Sequence, residues 1–153
     1  MANIKKIKEM LMGAIFEVFE RAFFVFAEPV RESGEDYQIR ATIRFSGPME
    51  GAMQISMPEG LAKIMAKNML DLDDTQITNP VIADCIKECL NMVCGSFVRK
   101  VDPDHVFHLT IPDFELISER SGDMAAQSDS SLRLLFDTEA GTFEVMMTAP
   151  GCL

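Results

Sequence analysis

Residues 84–95 have the sequence Asp84-Cys-Ile-Lys-Glu88-Cys-Leu-Asn91-Met-Val-Cys-Gly95, within a longer stretch from Pro80 to Val101. The four numbered residues recur at spacings of four, three and four, so a helix turning roughly 100° per residue places them on one stripe. The opposite stripe is apolar and consists of Ile82, Ile86, Cys89, Leu90, Val93 and Phe97. We therefore predict an amphipathic helix whose polar stripe faces solvent.

Two residues of the polar stripe are costly in a helix. Asn91 and Gly95 each destabilise an exposed helix interior by roughly 0.5–1 kcal/mol relative to alanine, and the surface offers no packing in return. This pattern indicates a docking site for another molecule. The alternative is a solvated helix face on which these residues coincide.

The composition favours one globular domain over residues 1–153. The chain is 48% apolar and 25% charged, and its net charge is −10. That charge opposes binding to nucleic acid or to anionic lipid. The longest apolar run is too short for a membrane span, and no secretory leader follows the first lysines. We expect a cytoplasmic protein with a protein partner, not a nucleic acid or membrane partner.

The remaining patterns predict an α+β fold of two layers, in which long helices pack on an antiparallel sheet. Asn3 can cap a helix that keeps its period until Glu28-Pro29, and Pro58 opens a second helix through about Leu70. The extra phenylalanines in the first helix indicate a thick core or a subunit interface. Alternating residues predict strands around 38–45, 53–57, 107–111, 132–136 and 143–147, and we predict a mobile loop over Ser118 to Ser131.

The cysteines do not form a disulfide framework, because Cys85, Cys89 and Cys94 lie in one helix where most pairs cannot reach bridging geometry. Reduced thiols are the simplest account, although redox sensitivity stays open. Cys85 and Cys89 could also bind one metal ion with His105 or His108. Buried apolar cysteines are commoner, so we expect no metal ion on this chain.

Standard catalytic signatures are absent from the sequence: it contains no Walker-type phosphate loop, no Gly-x-Ser-x-Gly and no His-Glu-x-x-His. Any chemistry must then use carboxylates and amides. A carboxamide one helical turn from a carboxylate can orient a water while the carboxylate contacts a cation. Phosphoryl transfer is the reaction that such positioning serves best.

The segment from Asp84 to Gly95 resembles the Asp/Ser-x-x-x-Glu-x-x-Asn-x-x-x-Gly signature of the CheC, CheX and FliY family of phosphatases. These enzymes dephosphorylate CheY-type response regulators in bacterial chemotaxis. The segment Ile43-Arg-Phe-Ser-Gly47-Pro-Met-Glu-Gly51, the Pro58 helix and Leu109-Thr-Ile-Pro112 are similar to the CheX branch in order and spacing. The similarity extends over residues 4–148.

The resemblance implies a role for each residue of the motif. Asn91 would orient the water that attacks the aspartyl phosphate, and Glu88 would contact the active-site lysine of the regulator. Asp84 and Gly95 would bind the partner, with Gly95 allowing close approach. The resemblance also implies a CheC/CheX-like fold, Mg²⁺ carried by the phosphorylated regulator and a homodimer.

The number of motifs distinguishes the branches of this family. CheC and FliY proteins carry two such motifs, whereas the first helix of this chain has Glu17-Val-Phe-Glu20 in place of Glu-x-x-Asn. A single motif matches the CheX branch. A non-enzymatic module that binds a receiver domain, or a flagellar or signalling partner, through the same acidic stripe is the alternative function.

Overall fold

The computed structural model describes residues 3–120, 131–151 and 153. Three helices cover one face of a seven-stranded antiparallel sheet, which confirms the predicted two-layer α+β fold. The α-helices are α1 (Ile4–Phe23), α2 (Glu59–Leu70) and α3 (Asn79–Val101), and a short 3-10 helix spans Asp74–Gln76. The strands are β1 (Glu28–Val30), β2 (Asp36–Ser46), β3 (Gly51–Met57), β4 (His108–Leu109), β5 (Asp113–Arg120), β6 (Ser131–Thr138) and β7 (Gly141–Thr148).

The sheet has the order β1-β6-β7-β3-β2-β4, and β5 also pairs with β2. β4 and β5 share the outer side of β2, because β4 pairs with Phe45 and Ser46 while β5 pairs with residues from Asp36 to Thr42. Alternation along β2 and β3 sends Ala41, Ile43 and Ile55 into the core. The predicted strands at 38–45, 53–57, 132–136 and 143–147 are confirmed.

Helix α1 packs over the β6–β7 half of the sheet through aromatic rings. Phe19 stacks on Phe143 with ring centroids 4.3 Å apart, and Phe16 meets Phe136 edge-on at 5.7 Å. Such pairs add about 0.5–1.5 kcal/mol each beyond the area that they bury. Helix α3 contacts β2, β3 and β5 and also packs against α1 and α2. The α1–α3 contact is therefore fixed by the core beneath it.

The first helix ends earlier than predicted. Phe24 adopts a left-handed conformation (φ 54°), and the amide of Val25 donates to the carbonyl of Phe19 at 2.9 Å. The chain then leaves the helix and forms β1, so the prediction that α1 continues to Glu28 is wrong. Of the extra phenylalanines, Phe16, Phe19 and Phe23 pack in or against the core. Phe24 and Phe26 are 67% and 75% exposed.

Two further differences lie near the outer strands. β4 has only two residues, shorter than the strand predicted around 107–111. Residues 113–120 form β5, which was not predicted and which includes Ser118 of the predicted loop. An edge strand shows a weak apolar alternation because one edge and much of its surface face solvent. Ser131 begins β6, and residues 121–130 of the predicted loop lie outside the described residues.

Candidate functional site

Helix α3 positions the predicted site. Its cap is Thr78, whose hydroxyl accepts from the amide of Val81 at 3.4 Å. Pro80 stands in the first turn, where its missing N–H costs nothing. The helix ends where the Asp102 amide donates to the Val98 carbonyl at 3.0 Å. All six residues of the predicted apolar stripe are buried.

The polar stripe of Asp84, Glu88, Asn91 and Gly95 faces outward. Asp84, Glu88 and Asn91 are exposed, and Gly95 is half-buried. At 1.5 Å and 100° per residue, the four span roughly 16 Å of axis within a sector of roughly 60°. Among the described residues, the side chains of Glu88 and Asn91 form no hydrogen bond or ion pair. The amide and the carboxylate are thus available to a partner.

Asn91 and Gly95 also line a groove between α1 and α3 with a volume of about 480 Å³. We call it the α1–α3 groove. Its other charged and hydroxyl residues are Glu17, Arg21, Ser96 and Arg99. Asp84 and Glu88 lie outside it, toward the N-terminus of α3. The two halves of the predicted site therefore have different surroundings. Asp84 and Glu88 lie on an open, acidic surface, whereas Asn91 and Gly95 line a concave one.

One arginine at this site was not singled out from the sequence. Arg99 follows Gly95 by four residues, so it continues the polar stripe by one more helical turn. Its Nη1 lies 3.5 Å from the position that a Cβ would take on Gly95. Within the described ranges Arg99 forms no ion pair. The spacing of four was the sequence signal that could have identified it.

On the opposite wall, Glu17 of α1 is held by cations. Lys100 Nζ lies 3.2 Å from its carboxylate and Arg21 Nη1 lies 3.4 Å away. The hydrogen bond from Lys100 and the positive charges of Lys100, Arg21 and Arg99 lower the pKa of Glu17. Glu17 is thus occupied by contacts within the chain, unlike Glu88. The Glu17-Val-Phe-Glu20 segment does not reproduce the exposed Glu-Asn pair of α3.

The helix cysteines lie in the core rather than at the site. Cys85, Cys89 and Cys94 are buried free thiols. Burial raises the pKa of Cys85 and of Cys94 to about 12. No group of three or more potential metal ligands occurs in the described part of the chain. His105 is exposed, and its Nδ1 lies 2.9 Å from Asp102.

Comparison with solved structures identifies the fold class as CheC/CheX-like. A CheC-like superfamily protein from Shewanella sp. PV-4 has a TM-score of 0.79 and 19% identity, covering 98% of this chain and 100% of its own. CheX from Desulfovibrio desulfuricans has a TM-score of 0.76 and 18% identity, covering 94% and 98%. The CheX–CheY–BeF₃–Mg²⁺ complex from Borrelia burgdorferi gives 0.71 and 20%, covering 93% and 96%.

The family model of the chemotaxis phosphatase CheX matches residues 39–136, which is more than half of the chain. The chain belongs to the CheX family. A search of curated proteins found no significant match. Within the described residues, no helix is long and apolar enough to cross a membrane.

Proposed function

We propose that this protein hydrolyses the aspartyl phosphate of a CheY-type response regulator. The proposal is carried by Glu88 and Asn91 on α3 of a CheX-family chain. Both side chains face outward and form no hydrogen bond or ion pair with the described residues. The related Borrelia CheX structure, which is a complex with CheY, BeF₃ and Mg²⁺, supports this choice of partner.

Asn91 is assigned the orientation of the attacking water. Its carboxamide can accept from the water and donate to a phosphoryl oxygen, which directs the water oxygen at phosphorus. The bond between phosphorus and the aspartate oxygen then breaks, and the products are inorganic phosphate and the regulator's free carboxylate. The nucleophile is water, so no covalent intermediate forms on this chain.

Glu88 is assigned a contact with the active-site lysine of the regulator. Its carboxylate is exposed and stands one helical turn before Asn91, about 4.5 Å along the axis. A charge-assisted hydrogen bond between the lysine and Glu88 would fix the position of the regulator relative to Asn91, one helical turn away. Asp84 would add a contact one turn further out. Mg²⁺ is placed on the regulator, where it would offset the charge of the phosphoryl group.

We also propose a homodimer in the cytoplasm. Apolar side chains are exposed beside the outer strands β4 and β5, with Val106 77%, Ile111 87% and Leu116 66% accessible. Covering such side chains with a second copy would bury them. Ile111→Lys combined with Leu116→Lys should convert a dimer to a monomer in light scattering. A wild-type protein that is already a monomer would contradict this part of the proposal.

The decisive experiment measures the decay of the acyl phosphate on a chemotaxis-type regulator with Mg²⁺, with and without this protein. Asn91→Ala should reduce the acceleration by roughly 100-fold or more because the water loses its orientation. Asn79→Ala is the matched control, since Asn79 is an exposed asparagine of the same helix outside the polar stripe.

Each outcome has a definite meaning. Acceleration that Asn91→Ala removes and Asn79→Ala keeps would establish the activity and the role of Asn91. Normal turnover by Asn91→Ala would refute the assigned mechanism. Regulator binding without faster decay, repeated across the receiver domains of the same cell, would favour the non-enzymatic interaction module.

A further inference from the structure

The α1–α3 groove carries positive charge in a protein whose net charge is −10. Three cations, Lys100, Arg21 and Arg99, act on the single carboxylate of Glu17. Of these cations, Arg21 and Arg99 line the groove together with Glu17, and Asn91 lines it about 12 Å along the helix axis from Arg99. A positively charged groove on an acidic protein is electrostatically complementary to a negatively charged segment of a partner.

The two arginines differ in how their charge is used. Arg21 shares Glu17 with Lys100, and its side chain is 80% exposed. Arg99 lies along the open position at Gly95 and pairs with no carboxylate among the described residues. The hydroxyl of Ser96, a largely buried residue of the groove wall, takes part in none of the hydrogen bonds within those ranges. Arg99 and Ser96 are therefore hydrogen-bond donors of the groove for which the described part of the chain supplies no acceptor.

The charges of the polar stripe and its continuation are also ordered along the axis of α3, since Lys87, the cation of this helix that precedes Asn91, lies off that stripe. Asp84 and Glu88 precede Asn91, and Arg99 and Lys100 follow it. A partner that contacts both ends of this surface meets negative charge on one side of Asn91 and positive charge on the other. Opposite signs at two points fix the orientation of a bound protein, which a single contact cannot do.

We infer that the α1–α3 groove binds an acidic segment of the regulator next to its phosphorylated aspartate, through Arg99 and Arg21. This inference rests on the proposed function for the identity of the partner. Arg99 is a positioning residue: it orients the regulator on Asn91 and does not touch the reacting atoms. The groove is the second contact of the docked complex, with Glu88 as the first.

The test measures affinity for a regulator that carries a stable phosphoryl mimic and Mg²⁺, together with turnover of the phosphorylated form. Arg99→Glu should weaken binding by about tenfold, since it replaces a charge-assisted hydrogen bond with repulsion. The loss should appear in KM rather than in kcat. Arg99→Lys should keep more of the affinity than Arg99→Glu because it preserves the charge.

A variant that is expected to tighten binding distinguishes a direct effect on binding from damage to the fold. Glu17→Gln removes the groove's carboxylate and leaves its cations, so it should bind the regulator more tightly than the wild type and show a steeper loss of affinity with salt. Damage to the fold would weaken binding instead. Arg31→Glu is the matched control, because Arg31 is an exposed arginine beside β1, at the opposite edge of the sheet from β4.

The outcomes distinguish this inference from the proposed function. Wild-type affinity in Arg99→Glu, together with turnover that depends on Asn91, would overturn the groove assignment and leave the phosphatase intact. Weaker binding by Arg99→Glu without any turnover by the wild type would support the groove and refute the phosphatase. Arg99-dependent sedimentation with vesicles of anionic phospholipid, with no effect on regulator binding, would assign the groove to a membrane and overturn the inference.

Discussion

The guanidinium of Arg99 occupies the side of the helix that Gly95 leaves open, with Nη1 3.5 Å from the point where a Cβ would stand. That separation is an ordinary van der Waals contact, so alanine fits at position 95 without displacing Arg99. Gly95 also has a backbone conformation that any residue adopts, because its φ is not positive. Nothing within the described chain requires glycine here.

Gly95→Ala should therefore separate stability from function. Alanine should raise the free energy of unfolding by about 0.5–1 kcal/mol, which corresponds to an increase in Tm of roughly 1–4 °C at this size. The added methyl group should obstruct the regulator and lower kcat/KM by about tenfold, because a small displacement of docked groups is costly. Thermal melting and phosphate release measure the two effects.

Gly13→Ala is the matched control for that variant. Gly13 lies inside α1, and a Cβ there would meet only Lys100 Cε at 3.9 Å. It should gain similar stability with unchanged turnover. If Gly95→Ala also kept full turnover, close approach of the partner at this position would be ruled out.

Glu88→Gln should weaken recognition of the regulator without changing the fold. Glu88 is exposed and forms no ion pair with a described residue, so its loss leaves no partner unsatisfied within this part of the chain. Removing its charge from the contact with a lysine should raise Kd about tenfold and reduce the salt dependence of binding. Glu9→Gln, an exposed acid on α1, is the control. Equal affinities for the two variants would contradict the role of Glu88.

The polar stripe could be predicted from the sequence because it depends only on helical period. Asp84, Glu88, Asn91 and Gly95 share a face in any regular helix. The groove beside them could not be predicted, since Glu17 and Arg21 reach it only through the packing of α1 against α3. The end of α1 was missed because Phe24 adopts a left-handed conformation that phenylalanine rarely takes.

The cysteines of α3 should react slowly in the native protein. Burial holds the pKa of Cys85 and Cys94 at about 12, so at pH 8 only about one thiol in 10,000 is the reactive thiolate. Alkylation by iodoacetamide, followed peptide by peptide in mass spectrometry, should be at least about 100-fold slower than in urea. Rapid native modification of Cys85 would revive a redox role for this helix.

Arg133 should be important for stability because it pairs with a buried acid. Its Nη2 donates to Glu144 Oε2 at 2.9 Å, and the Glu144 side chain is only 2% exposed. This hydrogen bond to Glu144 raises the pKa of Arg133. Arg133→Ala leaves a buried carboxylate without this partner and should cost about 3 kcal/mol, or roughly 6–12 °C in Tm. Adding Glu144→Gln should recover part of that loss, whereas an unchanged Tm for Arg133→Ala would mean that the pair contributes little.

The contact between Glu17 and Lys100 should make the stability of the protein fall at low pH. Its pKa in the folded protein lies below the unstructured value of 4.5, mainly because Lys100 donates to the carboxylate. The charged form is therefore favoured by folding, so the stabilisation is present above about pH 4.5 and is lost as the pH falls through the lower, folded value.

Because Glu17 is partly exposed, Glu17→Gln should cost only about 0.5 kcal/mol at pH 7. The difference in Tm between the two proteins should shrink from pH 5 to pH 3. Glu20→Gln, an exposed acid on the same helix without an ion pair to a described residue, should show no such convergence. A difference that stayed constant to pH 3 would mean that the Lys100–Glu17 contact does not persist in solution.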